Sequence, residues 1–197
     1  MKHGWLTALF LGLTLLSTTA MTGCCGKKTS GGTSSGTTTG TSTAVIGATG
    51  EVVNITEAGL KFNVPGGWLP APAGDWKLYK TSDNQARLGL VTFTQPREST
   101  ARIGQIASTL GLSIPGGDWR PTADRAVGPN QLRISNAGET RPGSCKTLKT
   151  NEDCYAWYAT VDSGNSTQLL VVYAVVNSAQ SKHLPNARAA VQSISKM

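Results

Sequence analysis

Residues 169–176 read Leu-Leu-Val-Val-Tyr-Ala-Val-Val, a run with no charged side chain. Its length and its four valines suit a β-strand, and a strand apolar at every position must be covered on both faces of its sheet. A sheet with one face in water is therefore excluded. Upstream, Cys154 to Asp162 is a second β-type run, separated from the first by Ser163-Gly164-Asn165. Two such runs around a tight polar turn predict an antiparallel hairpin spanning 154–177.

The rest of the chain from Ala44 onward has the same texture of short β-type runs broken by Gly and Pro. Glu51 to Thr56 and Leu60 to Val64 predict strands joined at Glu57-Ala58-Gly59, and Trp76 to Thr81 and Leu88 to Thr94 predict a pair around Ser82-Asp83-Asn84. Leu132 to Ser135 and Thr140 read as flanks of an Asn136-Ala137-Gly138 turn, and 115–128 reads as loop around Trp119.

Two helices are expected. Ile103, Ile106, Ala107 and Leu110 fall at i, i+3, i+4 and i+7, with Ser99 or Thr100 as cap and Gly111 as stop. Gly104 costs this helix about 1 kcal/mol relative to Ala unless a neighbour packs closely there. The closing helix is expected to open with Pro185 in its first turn, to bury Leu184, Ala187, Val191 and Ile194, and to carry Lys196 at its C-terminal dipole. Hairpins with helices laid on them give an α+β fold: one domain, residues 44–197, mainly antiparallel sheet with two helices packed against it. About 150 residues bury a full core without a metal.

What precedes this domain has a different composition. Lys2 is followed by a leucine-rich segment from Trp5 to Leu16, too short for a hydrocarbon core of about 30 Å, and then by small and polar residues to Gly23. The junction Met21-Thr22-Gly23-Cys24 resembles the lipobox of bacterial lipoproteins, with Met21 in place of the usual Leu. The resemblance implies a signal peptide over 1–23, cleavage between Gly23 and Cys24, and diacylglycerol on the Cys24 sulfur. It places the chain in the cell envelope, held to the membrane by its lipid. The absence of Asp after Cys24 leans towards the outer membrane, if the cell has one. The role of Cys25 stays open.

Residues 26–43 hold 5 Gly, 4 Ser, 7 Thr and 2 Lys. With Cys24 this stretch reads as a lipidated, Gly/Ser/Thr-rich tether over 24–43 that buries nothing, with an r.m.s. span of about 23 Å. Lys27 and Lys28 either gain about 1 kcal/mol each from anionic lipid or are merely solvated. Of the 18 basic residues three precede residue 44 and none of the 11 acids does, so the domain holds 15 basic and 11 acidic residues, a net +4. Its charges alternate in sign with no basic-aromatic stripe, which excludes nucleic acid as the expected partner.

Within the domain, Cys145 and Cys154 are expected to form a structural disulfide in an oxidising compartment. The spacing is not Cys-x-x-Cys and no His lies near, so no metal site is read there. His183 is the one histidine after the signal, at what reads as an exposed helix entrance with no nucleophile motif. No catalytic set, metal or cofactor is expected. Trp157 reads as core, whereas Trp68, Trp76 and Trp119 beside Gly/Pro-rich turns either cover a core edge or form a binding surface for a partner.

Phe62-Asn63-Val64-Pro65-Gly66-Gly67-Trp68, together with an apolar strand followed by Ala189-Ala190-Val191-Gln192-Ser193-Ile194, resembles the PsbP-like and DcrB-like domains over residues 50–196. That resemblance implies binding to other proteins and no catalytic residues. The leading expectation is a non-enzymatic, protein-binding envelope lipoprotein. Its rivals are a module for a small ligand, lipid or wall glycan, and a hydrolase without a recognisable motif.

Overall fold

Alternation along the strands decides which side of the main sheet each residue covers. In the computed structural model, which describes residues 50–94, 98–115, 118–122, 127–130 and 132–197, the apolar run forms strand β11, Gln168–Val176. Leu169, Val171, Tyr173 and Val175 enter one core layer, and Leu170, Val172 and Ala174 enter the other. Both faces of β11 are thus buried, as its composition requires.

Among the described residues, twelve strands precede, separate and follow two α-helices. They are β1 (Val52–Ile55), β2 (Leu60–Asn63), β3 (Trp68–Ala71), β4 (Lys77–Thr81), β5 (Ala86–Phe93), β6 (Leu112–Ser113), β7 (Trp119–Pro121), β8 (Ile134–Thr140), β9 (Lys146–Thr147), β10 (Cys154–Asp162), β11 and β12 (Ser195–Lys196). The helices are α1 (Glu98–Leu110) and α2 (Gln180–Gln192). Seven strands form the main sheet in the order β3-β4-β5-β11-β10-β8-β7, with every neighbouring pair antiparallel. Its centre is the expected hairpin, in register from Cys154 opposite Val176 to Asp162 opposite Gln168. A small sheet in the order β1-β2-β12 and helix α2 cover one face through Ile55, Leu60, Phe62, Ala187, Ala190 and Val191. Helix α1 covers the other through Ile106 and Leu110. The chain is a single α+β domain over the described residues, built on antiparallel sheet with two helices.

Four local readings are corrected. Asn136-Ala137-Gly138 is not a turn but the middle of β8, paired to Tyr158, Ala159 and Thr160 of β10. Glycine serves there as clearance: a Cβ on Gly138 would lie 2.8 Å from Cε1 of the Tyr158 ring. Helix α2 starts at Gln180, continuing a 3-10 turn over Asn177–Ala179, so Pro185 sits inside it and forgoes one intrahelical bond. Helix α1 begins at Glu98, so Ser99 and Thr100 lie within its first turn. Lys196 belongs to β12 opposite Leu60 and caps no helix. Gly111 does end α1, with φ 63°, and the half-buried Arg87 guanidinium donates to the carbonyl of Leu110, the last helical residue, and to that of Gly111 after it.

Candidate functional site

The three tryptophans singled out as a binding surface do not form one. Trp68 and Trp76 are each only 6% exposed, and they lie in the two different core layers, on opposite faces of the main sheet. Trp119 is half-buried and meets Tyr158 edge-on, with ring centroids 4.9 Å apart. Each indole closes an edge of the core beside its turn, which is the first of the two readings given for these rings, and Trp68 and Trp76 share no exposed surface. Trp157 is core, stacked on Tyr173 at 5.3 Å. Among the described residues its Nε1 and the Thr160 hydroxyl are buried without a hydrogen-bond partner.

Cys145 and Cys154 are joined, with Cα atoms 5.0 Å apart, and both are buried against α1. Gly23, Cys24 and the tether lie outside the described residues. Among the described residues no helix is long and apolar enough to cross a membrane, and no three His, Cys, Asp or Glu side chains gather to hold a metal.

The densest polar constellation is one the sequence did not reveal. His183 is not at an exposed helix entrance; it lies in the first turns of α2, buried, with Nε2 2.9 Å from Asp83 Oδ2. Asp83 stands in the β4–β5 turn and receives three further hydrogen bonds. Thr81 Oγ1 donates to Oδ1 at 2.5 Å, Lys182 Nζ to Oδ2 at 2.9 Å and the Gln85 N–H to Oδ1 at 3.1 Å. Desolvation pushes this carboxyl up, but the combined donors from Thr81, Lys182, His183 and Gln85 outweigh it and hold Asp83 well below the usual carboxylate range. Beside it opens a cleft of about 240 Å³ whose walls include Gly66, Gly67, Trp68 and Asn186. The only signal in the sequence was the turn itself, where Asp and Asn are expected for their own reasons.

A second polar set lies on the face covered by α2. Tyr155 Oη donates to Glu139 Oε2 at 2.7 Å, and Arg120 pairs with Glu139 Oε1 at 2.6 Å. Burial first, then the neighbouring Tyr173 and the bond to Glu139, push the Tyr155 phenol well above its ordinary value. Arg188 of α2 donates to Tyr173, which raises its own pKa. These contacts hold α2 and the β7 edge to the sheet. His183 Nε2 and Lys182 Nζ thus meet on one Asp83 carboxylate oxygen, while Thr81 and the Gln85 N–H hold the other.

No family model matches the chain, and no curated protein does. Among solved structures, one from Bacteroides thetaiotaomicron is similar with a TM-score of 0.45 at 8% identity, covering 75% of this chain and 48% of its own. The Saccharomyces cerevisiae Ran-binding protein Mog1p is similar with a TM-score of 0.40 at 9% identity, covering 74% of this chain and 94% of its own. The chain spans about half the length of the Bacteroides protein.

Proposed function

We propose that this chain is a lipid-anchored lipoprotein of the bacterial cell envelope, with an α+β domain that binds another envelope protein without catalysing a reaction. The observation that carries the reading is Met21-Thr22-Gly23-Cys24, followed directly by a tether with no apolar residue. Such an arrangement gives a folded domain reach from a membrane surface, about 23 Å on average for 18 flexible residues. The PsbP-like and DcrB-like resemblance, as a family of protein binders, points the same way.

The second reading is a module for a small ligand, lipid or wall glycan. It is favoured by the cleft beside Asp83, which has Trp68 in its wall. In-cell crosslinking from the domain surface separates the two. One envelope protein captured in stoichiometric amount supports the protein-binding reading. No captured protein, with Trp fluorescence quenched by added glycan or lipid, replaces it with the second.

A further inference from the structure

A sheet ends in strands whose outer backbone groups have no ladder partner, and most of the ends in this fold are blocked. In the main sheet the edge strands β3 and β7 carry Pro70 and Pro121, which have no N–H to offer. Strands β6, β9 and β12 are only two residues long. Strand β1 is the exception among the described residues. It ends the small sheet with Val52-Val53-Asn54-Ile55, four residues with neither proline nor charge.

The register decides which groups of β1 are open. The Val64 N–H donates to the Glu51 carbonyl at 2.9 Å, and Val53 stands opposite Phe62 and Ile55 opposite Leu60. Hydrogen-bonded pairs alternate along an antiparallel ladder, so Glu51, Val53 and Ile55 turn their N–H and C=O groups to β2. Val52 and Asn54 therefore turn theirs outward. These two donors and two acceptors have no hydrogen bond found for them among the described residues. The side chains of Val52 and Asn54 are exposed, whereas Ile55 is buried and Val53 packs half-buried against the core. What satisfies such an edge is an extended strand, apolar where it faces the core and polar where it faces water.

Charge narrows the occupant further. Glu51 before β1 and Glu57 after it are exposed, and neither has an ion pair among the described residues. Lys77 shares a cleft of about 220 Å³ with Glu57, so the uncompensated acid is Glu51. A second copy of this chain fits poorly. Setting Val52 of each copy opposite Asn54 of the other uses all four open groups, but it draws Glu51 of one copy towards Glu57 of the other. We infer that the open edge of β1 is a strand-addition site, and that its occupant is an extended segment of another protein with a basic residue beside Glu51. The inference rests on the protein-binding reading above. Main-chain bonds to Val52 and Asn54 hold the added strand, and the Glu51 charge selects its register.

The test uses the full-length protein in its own cells, with a photo-crosslinking amino acid at position 52, 69 or 148. Val52 is 56% exposed, and Leu69 and Leu148, exposed to a similar degree away from β1, serve as controls. One protein captured from 52 and not from the controls is the expected result. Asn54→Pro deletes one outward donor without touching the β1–β2 ladder and lowers that yield about tenfold. Glu51→Lys lowers it to a similar extent, Glu51→Asp keeps it, and a basic-to-acidic change in the captured segment restores it to Glu51→Lys. Glu51→Lys leaves the melting temperature unchanged, so it decides the matter if Asn54→Pro lowers stability. Capture from 52 that ignores the sign of residue 51 overturns the inference. Capture there of lipid, of a second copy or of the chain's own residues 44–49 also overturns it. Capture of a protein from 69 or 148 alone overturns it and leaves the protein-binding reading standing. No protein captured from any of the three positions overturns the inference, and in-cell crosslinking from the rest of the domain surface then decides the reading beneath it.

Discussion

His183 Nε2 lies 2.9 Å from Asp83 Oδ2 and joins residues 100 positions apart in the chain. The contact ties α2 to the β4–β5 turn, and Lys182 strengthens it on the same carboxylate oxygen. Asp83→Ala removes the acceptor of the His183 Nε2–H, a loss of about 1 kcal/mol. His183→Ala combined with Asp83→Ala costs less than the two single changes added together, since both remove one interaction. Urea unfolding of the three variants checks this, and strict additivity contradicts it.

Acid weakens the same contact with a defined sign. The Asp83 carboxyl is depressed in the fold relative to about 3.9 in an unfolded chain. Its contribution is complete above that value and is lost as pH falls through the lower, folded value. The gap in urea midpoint between wild type and Asp83→Asn therefore narrows below about pH 4. A gap unchanged down to pH 2 contradicts the depressed carboxyl.

Two glycines respond to alanine in opposite directions. Gly138→Ala drives a methyl towards the Tyr158 ring, which is itself held edge-on by Trp119, and costs about 1–3 kcal/mol. Gly104→Ala meets open space on α1 and gains about 0.5–1 kcal/mol from helix propensity and a less flexible unfolded chain. Thermal melts of the pair read the contrast directly.

Replacing both Cys145 and Cys154 by Ala costs about 2–3 kcal/mol on the loop-entropy account for a ten-residue ring. Because both sulfurs are buried, reductant leaves the native fold intact until denaturant exposes the bond. Alkylation followed by intact mass, with and without urea, measures that protection.

The central hairpin and the two-sided cover of β11 were legible because hydrophobicity at every position of a strand has one physical solution. The stripe of α1 was legible from its helical spacing, and the Gly111 stop because glycine alone takes φ 63° without strain. Asn136-Ala137-Gly138 misled because turn composition cannot be told from a strand whose glycine makes room for a ring on the next strand. Pro185 misled because the buried face of α2 compensates for an interior proline, and only the tertiary contact reveals it. Trp68 and Trp76 sit at turns, a position equally consistent with a covered core edge and an exposed ring, and only the fold shows the rings turned inward. The Asp83–His183 contact spans so much chain that no local pattern announces it.

The most direct measurement is the mass and N-terminal residue of the mature protein taken from the membrane fraction, compared with Cys24→Ala. Our account expects a mature chain beginning at Cys24 and carrying diacylglycerol, and an unprocessed Cys24→Ala precursor without the lipid. A mature N-terminus elsewhere, or Cys24→Ala protein found with membranes at the wild-type mass, contradicts it.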